Sequence, residues 1–368
     1  LTIYGGGINI NNNVTLTASG AAAMLKAYGN VILASSRTLT TNAGAVSFWA
    51  DSNGNGTGHA QLYSNASVKT TGGAITLGGG LDILTGYARG DTTRDAESEP
   101  NITLYTGGVH LRTGASLLSG GGNITLRGQN VNASAAAMAP SVYIKDATID
   151  SAAGKIAIYG LANGSGSLNA QGVTSYAGSV FRSANTASDA IYISGDATAV
   201  NGAATSLGVN LGGTVEATGT GGGISVIGKS GTATGYDRGT DVYGSLLARS
   251  GPILIVGENN DILQGGLYLS GVFLGAKSGT NVTTSSANIT LKSHQPGFNG
   301  TNTLTTSGTV SLLPLDGFNS FGSAQTINNL TLASSVTGLT IGSTTNTAGI
   351  TLSNPVAIAG PVTLYGGD

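Results

Sequence analysis

The chain has 368 residues, 61 of them glycine and none cysteine, with 9% charged residues and a formal net charge of −2. That balance supplies no basic field for a phosphate backbone, which argues against nucleic acid as a partner. No run of about 18 apolar residues occurs, so no membrane span is predicted, and the lack of cysteine fits export without disulfide help.

From the start, short apolar alternations recur at Ile8-Asn9-Ile10, Val14-Thr15-Leu16, Val31-Ile32-Leu33 and Val46-Ser47-Phe48, separated by Gly, Asn and Ser. Such period-two runs are strand signals. The only helical periodicity lies in Ala21 to Ala27, which is too short for an isolated helix and is expected to be irregular coil. Residues 51–58, DSNGNGTG, are a turn-rich loop. After strand signals at Val68 and Ile75-Thr76-Leu77, residues 82–100 gather Asp82, Asp91, Asp95, Glu97 and Glu99 with Arg89 and Arg94. This stretch is predicted to be a solvated loop insertion. Its carboxylates Asp91, Asp95, Glu97 and Glu99 form a candidate ligand or ion loop, because clustered carboxylates suit hard cations, although EF-hand spacing is absent from it.

Residues 101–131 carry the clearest internal repeat. Asn101-Ile102-Thr103-Leu104 returns as Asn123-Ile124-Thr125-Leu126 after roughly 22 positions, with a Gly120-Gly121-Gly122 turn before the second copy. A glycine-punctuated repeat of strand length predicts a β-solenoid, with Ile and Leu inward and Thr outward on each coil. The pattern continues through Val142-Tyr143-Ile144, Ile156-Ala157-Ile158, Ile191-Tyr192-Ile193, Ile224-Ser225-Val226 and Ile253-Leu254-Ile255. The gaps there are longer; Ala162 to Ala190 reads as loops or degenerate strands on one side. From Leu267-Tyr268-Leu269 the rhythm tightens through Ile289-Thr290-Leu291, Val310-Ser311-Leu312, Leu330-Thr331-Leu332 and Ile350-Thr351-Leu352. The expected fold is all-β: a right-handed parallel β-helix over residues 1–368, with roughly 15–18 coils of about 20–25 residues and loop insertions. The opening phrase Leu1-Thr2-Ile3-Tyr4-Gly5-Gly6 resembles the closing Val362-Thr363-Leu364-Tyr365-Gly366-Gly367. Both fit either a coil motif or one unit of a tandem array, and the chain is expected to be a fragment or repeat unit of a larger protein.

The phrases Gly121-Gly122-Asn123-Ile124-Thr125-Leu126, Gly72-Gly73-Ala74-Ile75-Thr76-Leu77 and Ala348-Gly349-Ile350-Thr351-Leu352 resemble the repeats of filamentous haemagglutinin-like bacterial exoproteins. That resemblance implies the shaft of a large adhesin exported by two-partner secretion through an outer-membrane partner. It also implies an extracellular or cell-surface location and a host-cell receptor, surface or glycan as contact. Autotransporter passengers share the same rhythm.

Polysaccharide lyases and hydrolases also use β-helices, and their sites need acids and bases converging on a groove. Outside the 82–100 loop the nearest candidates are Asp237, Arg238 and Asp241 in GYDRGTD, with Glu258 and Asp261 in GENND. GYDRGTD reads most simply as a charged turn, and His110, between Val109 and Leu111, as an outward strand residue. The three histidines, His59, His110 and His294, are isolated, and no nucleophile elbow, zinc-protease or P-loop motif is present, so neither catalysis nor a cofactor is expected. Asn101, Asn123 and Asn288 each begin an Asn-x-Thr triplet and are candidate glycan attachment points, while Asn before a strand is equally a turn residue. The leading expectation is a structural, adhesive rod. A self-assembling filament subunit, associating end to end, and a carbohydrate-active β-helix enzyme are the alternatives.

Overall fold

The structure, a computed structural model, describes residues 1–90, 107–130, 139–165, 169–259 and 265–367. Among the described residues there is no helix, and every ladder between strands is parallel. The chain winds as a parallel β-solenoid with three faces. The first face begins with Thr2–Gly5, Ala23–Ala27, Val46–Ala50, Ile75–Gly79 and Ile124–Gln129. Among the described residues it is thirteen strands deep, ending at Val362–Leu364. At ~4.8 Å per level this makes a rod roughly 60 Å long. The second face stacks Ile8–Ile10, Val31–Leu33, Ala60–Leu62, Val109–Leu111 and their successors. The third is an 11-stranded sheet running from Val14–Leu16 to Leu330–Leu332.

Alternation along each strand sends every second side chain inward, and strict register then places like on like. Leu25, Phe48, Leu77, Leu126, Ile158 and Ile193 are successive register partners, all with 0% exposure. Burying each such side chain is worth about 1.5–3 kcal/mol. The Ile-x-Leu phrases are the inward halves of these columns, and Thr76 and Thr125 are their outward register partners. The similar phrases at the two ends of the chain occupy the same place on the first face.

Among the described residues the coils are longer and fewer than the sequence rhythm suggests. Ile124 pairs with Ile75, a spacing of 49 residues, and the Asn101 phrase lies outside the described residues. Other steps are as short as the 21 residues from Ile289 to Val310. The unevenness has a structural source. At the corner between the first and second faces the chain leaves the coil and returns, building a lateral ridge. There Ile156–Ser165, Asn169–Ser175 and the continuous strands Ile191–Leu211 and Ile224–Val242 stack in parallel. Much of the stretch from Ala162 to Ala190 is therefore strand, the second of the two readings. The ridge has its own small core of Ala162, Ala170, Ala197 and Val200.

Glycine makes the ridge's neck. Gly160, Gly195, Gly228 and Gly257 are register partners. A Cβ on each would run into the carbonyl of Gly172, Gly208, Gly239 or Gly266, respectively, where the chain returns. The two backbones touch there, which only hydrogen side chains permit. A second glycine column, Gly44, Gly73, Gly122 and Gly154, sits at the turn entering the first face, each member pressed on the carbonyl of the residue below it. This is the packing reason for the Gly-Gly-x-Ile-Thr-Leu phrases.

One local expectation is overturned. Ala21 to Ala27 is not irregular: Ala23–Ala27 is a strand held by ladders on both sides, with Ala23, Leu25 and Ala27 buried. Tertiary pairing overrides its helical propensity. Residues 82–90 are the described part of the charged insertion, and within them Ala88 and Arg89 pair with Gly128 and Gln129.

Candidate functional site

In a parallel stack, outward register partners lie one above another, so positions far apart in sequence become columns. On the first face one such column runs Tyr4, Lys26, Trp49 and, past Gly78, Arg127 and Tyr159. The Lys26 ammonium lies 3.8 Å from the Trp49 ring centroid, and Trp49 Nε1 donates to the Gly80 carbonyl at 2.6 Å. The Arg127 guanidinium lies 3.9 Å over Tyr159 and 6.0 Å from Tyr87. Its Nε has no hydrogen-bond partner among the described residues. Tyr159 in turn meets Tyr192, with centroids 5.6 Å apart. Cation–π contacts of this kind contribute about 0.5–2 kcal/mol each and hold the rings in place.

Beside these rings Lys155 and Asp189 form an ion pair at 2.6 Å, with both side chains substantially exposed. Together with Ile156, Ala157, Tyr159 and Tyr192 they line a shallow groove of about 240 Å³. The arrangement offers half-buried aromatic faces next to donors and acceptors, on a flat and rigid wall. A second groove of about 660 Å³ lies by Tyr4, Lys26 and Tyr28.

Compared with known proteins, the chain matches no family model, no curated protein and no solved structure.

The residues singled out from sequence fall into separate places. Asp91, Asp95, Glu97, Glu99, Asn101 and Asp261 lie outside the described residues. Asn123 and Asn288 are exposed turn residues whose Oδ1 atoms cap the next coil: Asn123 accepts from the Lys155 N–H at 2.9 Å, and Asn288 from the Thr309 N–H at 3.0 Å. GYDRGTD is not a turn. It lies within Ile224–Val242, where Arg238 bonds Asp241 at 2.7 Å and stacks between Tyr236 and Tyr268 at 4.0 and 3.3 Å. Burial pushes the Asp241 carboxyl above the usual range, with Arg238 pulling the other way. Burial, aided by Asp241, carries Tyr236 to about 12. The cluster is packed rather than solvated because the ridge neck brings its strand against two neighbours.

His110 lies on the outward side of its strand, as alternation assigns it, but is covered there. It is 1% exposed, stacked on His59 with centroids 5.8 Å apart and edge-on to Tyr143 at 6.2 Å. Alternation assigned its side of the strand correctly, but what covers that side is tertiary. His294 stands apart against Phe318, and burial lowers its pKa. Sequence reasoning missed the aromatic strip because its members are single residues brought together only by register. The one available signal was that Trp49, Arg127, Tyr159 and Tyr192 each sit at an alternating position beside an inward apolar residue.

Proposed function

We propose that the chain is a rod segment of a secreted or surface-displayed bacterial adhesin of the filamentous haemagglutinin-like kind, and that its work is attachment to cells or surfaces through a glycan. The observation that carries this reading is the strip of Tyr87, Arg127, Tyr159 and Tyr192 on the outer side of the first face, beside the Lys155–Asp189 pair. A tyrosine ring presents an apolar face with a polar tip, which suits the apolar face of a pyranose. The ammonium and carboxylate beside it suit the sugar's hydroxyls. A stacked wall keeps these groups in fixed relation without a pocket, and the rod supplies reach.

The test is binding of the purified chain to an immobilised panel of bacterial and host glycans, compared with the double variant Tyr159→Ala/Tyr192→Ala. Both side chains point outward, so the coil survives their loss. Retention of at least one glycan ligand and a tenfold or greater weakening in the variant is expected. Unchanged binding in the variant, or no glycan bound by either protein, overturns the assignment.

A further inference from the structure

The loop that leaves the first face just after Ala50 reads Asp51-Ser52-Asn53-Gly54-Asn55-Gly56-Thr57. Oxygen-bearing side chains at its first, third and fifth positions and glycine at its sixth match the front half of a calcium loop, in which the seventh residue offers its carbonyl. The backbone follows the same plan. Gly56 takes a φ of 94° and donates its N–H to Asp51 Oδ1 at 3.0 Å. The Asn55 N–H donates to Asn53 Oδ1 at 3.3 Å, and the Thr57 N–H to Asn55 Oδ1 at 3.1 Å.

Loop shape alone would signify only a tight turn. The deciding group is the second carboxylate oxygen of Asp51. The residue is 0% exposed, and its Oδ2 is buried without any hydrogen-bond partner. Asp51 borders a cavity of about 360 Å³, with Gly80, Asp82, Arg89 and Gln129 among the other walls. A buried carboxylate oxygen left without a donor is costly, and a cation bound at it would remove that cost. Arg89 commits its Nε to Gln129 Oε1 at 2.9 Å.

We propose that this loop is a calcium site, with Asp51, Asn53, Asn55 and the Thr57 carbonyl as protein ligands and water completing the shell. Calcium suits a set of hard oxygens on a flexible loop, whereas magnesium demands tighter octahedral geometry. The twelfth position, where an EF-hand places a bidentate Glu, is Leu62, a buried core residue of the second face. One carboxylate among the loop ligands, with Arg89 nearby, places the site in the weak class, with Kd about 10⁻⁴–10⁻³ M, suited to a calcium-rich exterior. The inference stands on the 51–57 loop alone and is independent of the glycan-binding strip.

Terbium titration with tryptophan excitation tests it, because Trp49 is the single tryptophan and its indole is hydrogen-bonded to Gly80 at the cavity wall. Saturable sensitised emission, displaced by calcium at roughly millimolar concentration, is expected in the full chain. Asp51→Asn keeps an oxygen for Gly56 but removes the charge, and should abolish the signal. Asn53→Ala/Asn55→Ala alters only exposed side chains, which guards against misfolding of the first variant, and should weaken binding at least tenfold. Emission that calcium does not displace, that is absent from the unmodified chain, or that persists unchanged in the Asn53→Ala/Asn55→Ala variant overturns the proposal.

Discussion

Arg182 joins three successive coils of the third face, and removing it gives a prediction whose size and pH dependence both follow from the geometry. Asp150, Arg182 and Glu216 are register partners. Arg182 Nη1 lies 3.3 Å from Asp150 and its Nε 3.0 Å from Glu216. A fully exposed pair contributes about 0.2–1 kcal/mol, whereas stripping the partner from a fully buried ion costs about 3–5 kcal/mol. Here the arginine side chain is 37% exposed and the glutamate 3%. Glu216 also keeps two donors from Asn281, at 3.0 and 2.6 Å. Replacing Arg182 with Met, which preserves the aliphatic stem, should therefore cost about 1.5 kcal/mol, between those limits. A stacked solenoid opens locally, so the loss should appear as a roughly tenfold drop in hydrogen-exchange protection of Val180–Ser183 and Thr214–Ala217, with distant coils unchanged. Burial raises the Glu216 pKa, but the Asn281 and Arg182 hydrogen bonds outweigh it and hold the group below its ordinary 4.5. A depressed carboxylate stabilises the fold above its unfolded value and loses that contribution as pH falls through its folded value. The gap between variant and parent should thus be full at neutral pH and close in acid below about 4.5. A gap that is absent at neutral pH, or equally large in acid, refutes the reasoning.

Other substitutions probe the remaining layers of the argument. Gly122→Ala places a methyl against the Gly73 carbonyl and should destabilise by about 2 kcal/mol or more, as read from the denaturation midpoint. Leu126→Ala, at a fully buried position, should cost about 2–5 kcal/mol, while Thr125→Ala, its outward neighbour, should stay within about 0.5 kcal/mol. Equal effects at these two positions would contradict the assigned faces. Asn288→Ala removes the acceptor of both Thr309 donors, at 3.0 and 3.1 Å, and should cost about 1 kcal/mol with local loss of protection around Thr309–Leu313.

The fold class was legible because a stacked coil repeats its inward choice at every level, so Ile-x-Leu phrases and glycine turns survive as text. Coil length was not. The Asn101 and Asn123 phrases are alike, yet Ile124 rests on Ile75, because hydrogen bonding constrains which strands stack and leaves the length of the connecting chain free. The ridge was hidden for a related reason. Its strands are built from Ala, Gly, Ser and Thr, whose composition signals loop, and only packing against identical neighbours makes them strand. Outward positions are where legibility fails most: Trp49 and Lys26, or Arg127 and Tyr159, are partners only through register. The calcium-type loop was present as a spacing in plain sight at residues 51–57, but turn chemistry explained it equally well until the buried oxygen of Asp51 separated the two.

The glycine neck has a consequence for how such a chain can change over time. At the opening level the same corner is crossed directly, from Thr2–Gly5 through Gly6 and Gly7 into Ile8–Ile10. Further along it is crossed by the 21-residue strand Ile191–Leu211. Because the outgoing and returning backbones touch at Gly195 and Gly208, residues beyond the neck can be lengthened, shortened or exchanged while the coil beneath keeps its path. The solenoid therefore separates a coil path fixed by close packing from an outer margin whose length can change.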